Sequence, residues 1–216
     1  MQVTASWLNQ RPGPGVYADP QPYFQFDLGI WVAIFLFFSA SAHFIIAGPA
    51  YGRYVEGLKH NRNYYRWVEY AFSSSVMVVL IAALVAITDV AALIAIFGAN
   101  ASMILFGLLM EKYEQPGSPD WTAFIFGCVA GIFPWLAIAD YLWGPGASDM
   151  MPGFVYWIFV TMFVFFNSFA VNQVLQYKRV GKWKDYVFGE VAYVFLSLSA
   201  KSVLAWLVFA NVLIPQ

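Results

Sequence analysis

Six long apolar runs set the pattern of this chain. They lie at about residues 28–48, 67–88, 90–110, 121–143, 154–175 and 187–213. About 20 apolar residues carry a helix across the hydrocarbon of a bilayer, so each run predicts a membrane span. Between 71 and 110 the only charge is Asp89. That stretch is nearly two spans long, so it must fold back, and Asp89 marks the tight turn. Residues 1–27 precede the first run. Proline and glycine are dense between Arg11 and Pro22, which predicts an irregular loop rather than a signal peptide. The expected organisation is therefore a loop at 1–27 and an all-α integral membrane domain of six spans at 28–216.

Composition agrees with the pattern. Of 216 residues, 61% are apolar and 11% charged, against about 45–50% and 25% in soluble domains. A net charge of −1 argues against a nucleic-acid partner. One cysteine, Cys128, excludes an intrachain disulfide, and with two histidines a structural zinc site is not expected. No nucleophilic triad or metal cluster is legible, so the chain does not read as an enzyme.

The basic residues are unevenly placed. Arg53, Lys59, Arg62, Arg66, Lys112, Lys178, Arg179, Lys182 and Lys184 fall in the alternate connections 49–66, 111–120 and 177–186, with only Arg11 on the other side. The positive-inside rule puts those connections in the cytoplasm and both ends of this chain outside. An outward start without a signal sequence predicts a further helix encoded ahead of Met1, with 1–27 then a loop between helices.

The eleventh basic residue, Lys201, stands near the middle of the last span. A lysine there costs about 2.5–3.5 kcal/mol on insertion scales, so it reads as functional and needs a partner. Glu69 is the other charge inside a span and is the expected partner. Two readings stay open. The pair is a structural ion pair that holds helices together. Alternatively, Lys201 is an amine that condenses with an aldehyde, with Glu69 as counterion, an arrangement that suggests retinal. Beyond Glu69, His43 and Lys201, no ionisable side chain is expected in the interior. Glu111 and Glu190 are placed near the cytoplasmic ends of their helices, which favours sensing over ion transport.

The stretches SASAHFIIAGPAYGRY, RWVEYAFSSSVMVVLIAAL, NASMILFGLLME, PGFVYWIFVTMFVFFNSFAVNQVLQYKRVGKW and DYVFGEVAYVFLSLSAKSVLAW, with VTASWLNQRPGPG ahead of them, resemble the heliorhodopsins. These are inverted-topology relatives of the microbial rhodopsins. The resemblance implies a rhodopsin-like bundle with six spans of a seven-helix pattern, the first helix being absent. It implies all-trans retinal bound covalently as a protonated Schiff base on Lys201, with Glu69 as counterion and Ser197 close by. Ser73 and Ser74, a turn from Glu69, would donate to the carboxylate or to water. His43 would border a polar cavity near the Schiff base. Tyr70, Met77, Asn100, Phe166 and Trp206 would line or support the chromophore site, with Met103, Trp135 and Asn167 as further wall candidates. For any of these apolar positions taken alone, core packing or, for Ser197, a bond to its own helix backbone is the plain alternative.

Gly127 and Gly131 form GxxxG on the fourth span of this chain, a close-approach surface. With the resemblance it predicts a homodimer through the third and fourth spans. The function expected is light sensing at the cell membrane, in contact with lipid and with a cytoplasmic signalling partner. The alternatives are a light-driven ion transporter and a scaffold without a chromophore.

Overall fold

The computed structural model describes residues 2–8, 20–144 and 151–213. The chain order is strand β1 (Gln2–Leu8), strand β2 (Pro20–Asp27), helices α1 (Leu28–Ala47), α2 (Tyr51–Lys59), α3 (Tyr64–Leu84), α4 (Val90–Tyr113), α5 (Thr122–Trp143), α6 (Gly153–Tyr177) and α7 (Tyr186–Val208). A short 3-10 turn (Gly181–Lys184) precedes α7 and a π turn (Phe209–Leu213) follows it. Six of the helices are long and apolar enough to cross a membrane, matching the six expected spans.

Polar caps start the spans where the apolar runs begin. Asp27 accepts from Gly29 N at 2.8 Å to open α1, and Asp89 accepts from Ala92 N at 2.8 Å to open α4. Asn63 and Asp185 do the same for α3 and α7. Each side chain satisfies an N–H that the first helical turn cannot. Asp89 thus occupies the turn assigned to it.

Helix α3 is the centre of the bundle. Of its most apolar window, 72% is buried, against 17–33% for the other five spans. It packs on α1 and α4, α4 packs on α5, and α6 on α7. The core runs through Val76, Leu80 and Ile81 of α3 to Phe35 of α1, Ile138 of α5, Ile158 of α6 and Leu204 of α7.

Three expectations are corrected. First, the N-terminal segment is not wholly irregular. β1 and β2 pair antiparallel, with Val3 and Ala5 turned into the core. Ser6 N donates to Thr88 O at 2.9 Å, which ties the hairpin to the α3–α4 turn. Residues 9–19, where the proline- and glycine-rich loop was expected, lie outside the described residues. Second, the connection 49–66 is not only a loop: it contains α2, and Arg66 belongs to α3. Third, the GxxxG glycines face inward. A Cβ at Gly127 would meet Met103 O and Phe106, and one at Gly131 would strike the Met103 side chain. The motif is used within the chain to bring α5 close to α4.

Candidate functional site

Lys201 and Glu69 meet. Lys201 Nζ donates to Glu69 Oε1 at 2.7 Å, to Ser39 Oγ at 2.9 Å and to Ser197 Oγ at 3.0 Å. Three acceptors match the three N–H bonds of an ammonium. Lys201 is 6% exposed and Glu69 5%. The ammonium also lies over the Tyr70 ring, 5.3 Å from its centroid, in reach of the ring's negative face.

Helical geometry explains the convergence. On α7, Tyr193, Ser197, Lys201, Leu204 and Val208 repeat at intervals of three or four and form the buried stripe. On α1 the buried residues are Leu28, Val32, Phe35 and Ser39. Ser39 therefore ends the inward stripe of its helix and reaches the amine. Sequence reading missed it, because 162 residues separate it from Lys201. A polar side chain on an otherwise apolar inward stripe is the signal that could have found it.

One wall of the amine opens on a cavity of about 110 Å³ between α3, α4, α5, α6 and α7. Its walls are apolar with a few convergent polar groups, the character of a small-molecule pocket. Ser73, Ser74, Met77 and Phe166 line it, together with Tyr70, Ser197 and Lys201. Among the described residues, Glu69 Oε2 and Ser73 Oγ are buried beside the amine without a hydrogen-bond partner, as are Trp67 Nε1 and Tyr193 Oη farther along the cavity wall. Buried polar atoms normally bond to protein, water or ligand. An amine, its balancing carboxylate and an aromatic-walled apolar cavity are the chemical groups that a covalently held apolar aldehyde would need.

Other expected residues are placed differently. Ser74 donates to Tyr70 O at 2.7 Å and not to Glu69, and no bond joins Ser73 to Glu69. Asn100 is fully buried but stands behind the wall, where it donates to Ser74 Oγ at 2.8 Å and Ser75 Oγ at 3.0 Å. Trp206 does not line the site: it is 67% exposed and packs on Phe209. Five residues turn a helix by about 500°, so Trp206 points about 140° away from Lys201. Asn167 is exposed and bonds back to Phe163 O at 2.8 Å. Trp135 is buried against Phe159, Phe163 and Phe166, one layer outside the cavity, whereas Met103 lines it. His43 borders a second cavity with Glu69, on the side of α1, α2 and α7, and its Nδ1 bonds to Ser39 O at 2.8 Å. The His43 side chain is exposed at that border and is hydrogen-bonded only to its own helix among the described residues.

Glu111 and Glu190 stand near the ends of α4 and α7, where expected, but with Arg66 they are buried there as a second charged cluster. Arg66 Nη2 pairs with Glu111 Oε2 at 2.6 Å and Nη1 lies 2.9 Å from Glu190 Oε1, all three side chains being buried. Asn63 joins them: its side chain donates to Glu190 Oε2 at 2.6 Å and its backbone N–H to Glu111 Oε1. The guanidinium lies in the corner between the Trp67 and Tyr193 rings, at 4.4 and 3.8 Å from their centroids. Arg66 stands one turn from Glu69 on α3. Glu190 stands three turns from Lys201 on α7, so it shares that helix's inward stripe.

This is a polytopic α-helical membrane protein whose last span carries a buried lysine, paired with a carboxylate at the wall of an aromatic cavity. The model of the Heliorhodopsin family matches residues 1–213, and the chain belongs to that family. A search of curated proteins finds no match. Membership makes this a retinal-binding membrane protein of photoreceptor type.

Proposed function

We propose that this chain is a light sensor that carries all-trans retinal on Lys201, with Glu69 as the counterion. The observation that supports it is the 2.7 Å contact of amine and carboxylate at the wall of the cavity between α3 and α7. When bound, retinal supplies absorption of visible light and photoisomerisation. The chain's own residues do the rest. Glu69 holds positive charge at the Lys201 nitrogen, and Ser39 and Ser197 fix the orientation of that nitrogen. Tyr70, Met77 and Phe166 exclude water from the apolar end, while Asn100 stiffens the Ser74–Ser75 segment behind them. A change in charge at Lys201 alters the attraction between α7 and α3, which is the differential contact a two-state switch requires.

The positive-inside rule places the ends bearing 49–66 and 177–186 in the cytoplasm and the C-terminus outside. A signalling partner would meet those basic connections. A homodimer through α4 and α5 would use the exposed aliphatic face of α5 (Ile125, Val129, Ile132 and Leu136), since Gly127 and Gly131 are already covered.

Transport is the second reading. The buried Arg66–Glu111–Glu190 cluster supplies interior ionisable groups of the kind ion pathways use. The test is reconstitution of the protein in lipid with all-trans retinal. Sensing predicts a coloured, hydroxylamine-sensitive species, lost in Lys201→Ala and shifted in Glu69→Gln, with no light-driven pH change or photocurrent. A photocurrent overturns sensing in favour of transport. A colourless Lys201-intact protein overturns both.

A further inference from the structure

We propose that the cleft between α2 and the start of α3 binds the phosphate of an anionic phospholipid headgroup. It is independent of the retinal reading. Helix α1 has 20 residues, about 30 Å at 1.5 Å per residue, which is one hydrocarbon thickness. Helix α2 begins at Tyr51, four residues after α1 ends, and so sits at headgroup depth. Its residues divide into two faces. Tyr54, Val55 and Leu58 are half-buried, whereas Arg53, Glu56 and Lys59 are exposed. A short helix of this kind lies along a membrane surface with its apolar side inward.

The chain then turns back sharply. Arg62 N and His60 N both donate to Gly57 O, and Asn61 adopts φ 56°. This turn brings Arg62 beside Arg53, and the two border one cleft with His60, Tyr54, Tyr64 and Tyr65. Glu56 is the one carboxylate in the cleft wall; Lys59 already engages it at 3.4 Å, and His60 Nδ1 bonds to the Glu56 backbone O at 2.9 Å. Neither arginine has a carboxylate partner within 4.0 Å among the described residues, unlike the buried Arg66. Two free guanidinium forks over one cleft suit a phosphate, which they grip in pairs of parallel bonds. Tyrosines at the same level are the usual ring residues of the membrane interface.

The test uses the full chain in nanodiscs of phosphatidylcholine with and without phosphatidylglycerol, with retained lipids counted by native mass spectrometry. Wild type is expected to retain phosphatidylglycerol selectively. Each guanidinium that holds the bound phosphate is expected to contribute about fivefold in affinity. R53Q and R62Q should thus each lose about fivefold and the double variant roughly 25-fold, with unfolding in phosphatidylcholine unchanged. K178Q/R179Q, on the other basic connection, should behave as wild type. If the double variant does not fold, the two single variants carry the test. Unchanged selectivity in R53Q and R62Q overturns the proposal, as does loss in K178Q/R179Q instead. Displacement of the lipid by inorganic phosphate or by an acidic peptide, each added in excess, also overturns it, since the site would then belong to a soluble anion or a protein partner.

Discussion

Glu69→Gln is the sharpest perturbation of the site, and its cost can be worked from the geometry. Charges 2.7 Å apart attract by roughly 6 kcal/mol at an effective dielectric constant of about 20. Both side chains are less than one-tenth exposed, so the near-zero value of surface pairs does not apply. Removing one partner of a buried pair leaves a bare charge and costs about 3–5 kcal/mol. Glu69→Gln and Lys201→Met should therefore each destabilise the retinal-free protein by about 3–5 kcal/mol. The double variant should be close to wild type, because no charge is left unpaired, which makes the coupling at least about 6 kcal/mol. Unfolding by SDS titration in mixed micelles, followed by circular dichroism, measures all four corners of the cycle. Additive losses, with coupling below about 1 kcal/mol, would show that Lys201 and Glu69 do not depend on each other and would refute the site as described.

Three further outcomes follow from the same structure. Ser39→Ala removes one of the three acceptors of the Lys201 ammonium and should cost about 1.5–3 kcal/mol in the same assay, as should Ser197→Ala. No loss in Ser39→Ala would mean that α1 does not reach the amine. Arg66→Gln leaves Glu111 and Glu190 buried without their cation and should destabilise by about 3–5 kcal/mol; Arg66→Lys should rescue it only in part, because an ammonium cannot replace a fork between two carboxylates. Gly107→Ala places a methyl group into the rigid Trp67 ring and should cost about 1–3 kcal/mol, relieved when Trp67 is shortened to Leu. Equal stability of Gly107→Ala and wild type would contradict the close approach of α3 and α4.

The spans were legible because each is a long apolar run interrupted by polar caps; Asp27 and Asp89 mark helix starts in sequence and in structure alike. What hydropathy could not show is which face of a span turns inward. Helices that are apolar all round give no moment to read, so Trp206 looked equivalent to Met77 although one is exposed and the other buried. The Arg66 cluster was hidden for a related reason. RWVE looks like a boundary sequence, and nothing local tells that Glu111, 45 residues on, lies against the guanidinium. Glu190 did carry a signal, since its spacing of eleven from Lys201 is three helical turns. In β1 the alternation of Val3 and Ala5 with Thr4 and Ser6 is a strand pattern, outweighed by the prolines and glycines that follow. GxxxG specifies a close approach but not whether the other helix is in the same chain.

The central claim is that the Lys201 nitrogen is the attachment point for retinal. Incubating the protein in lipid with all-trans retinal, reducing with borohydride and sequencing the last-span peptide by mass spectrometry tests it most directly. The account predicts one retinyl adduct, on Lys201, that disappears when Lys201 is replaced by Ala. An unmodified Lys201, or an adduct confined to the lysines of the basic connections, would contradict it.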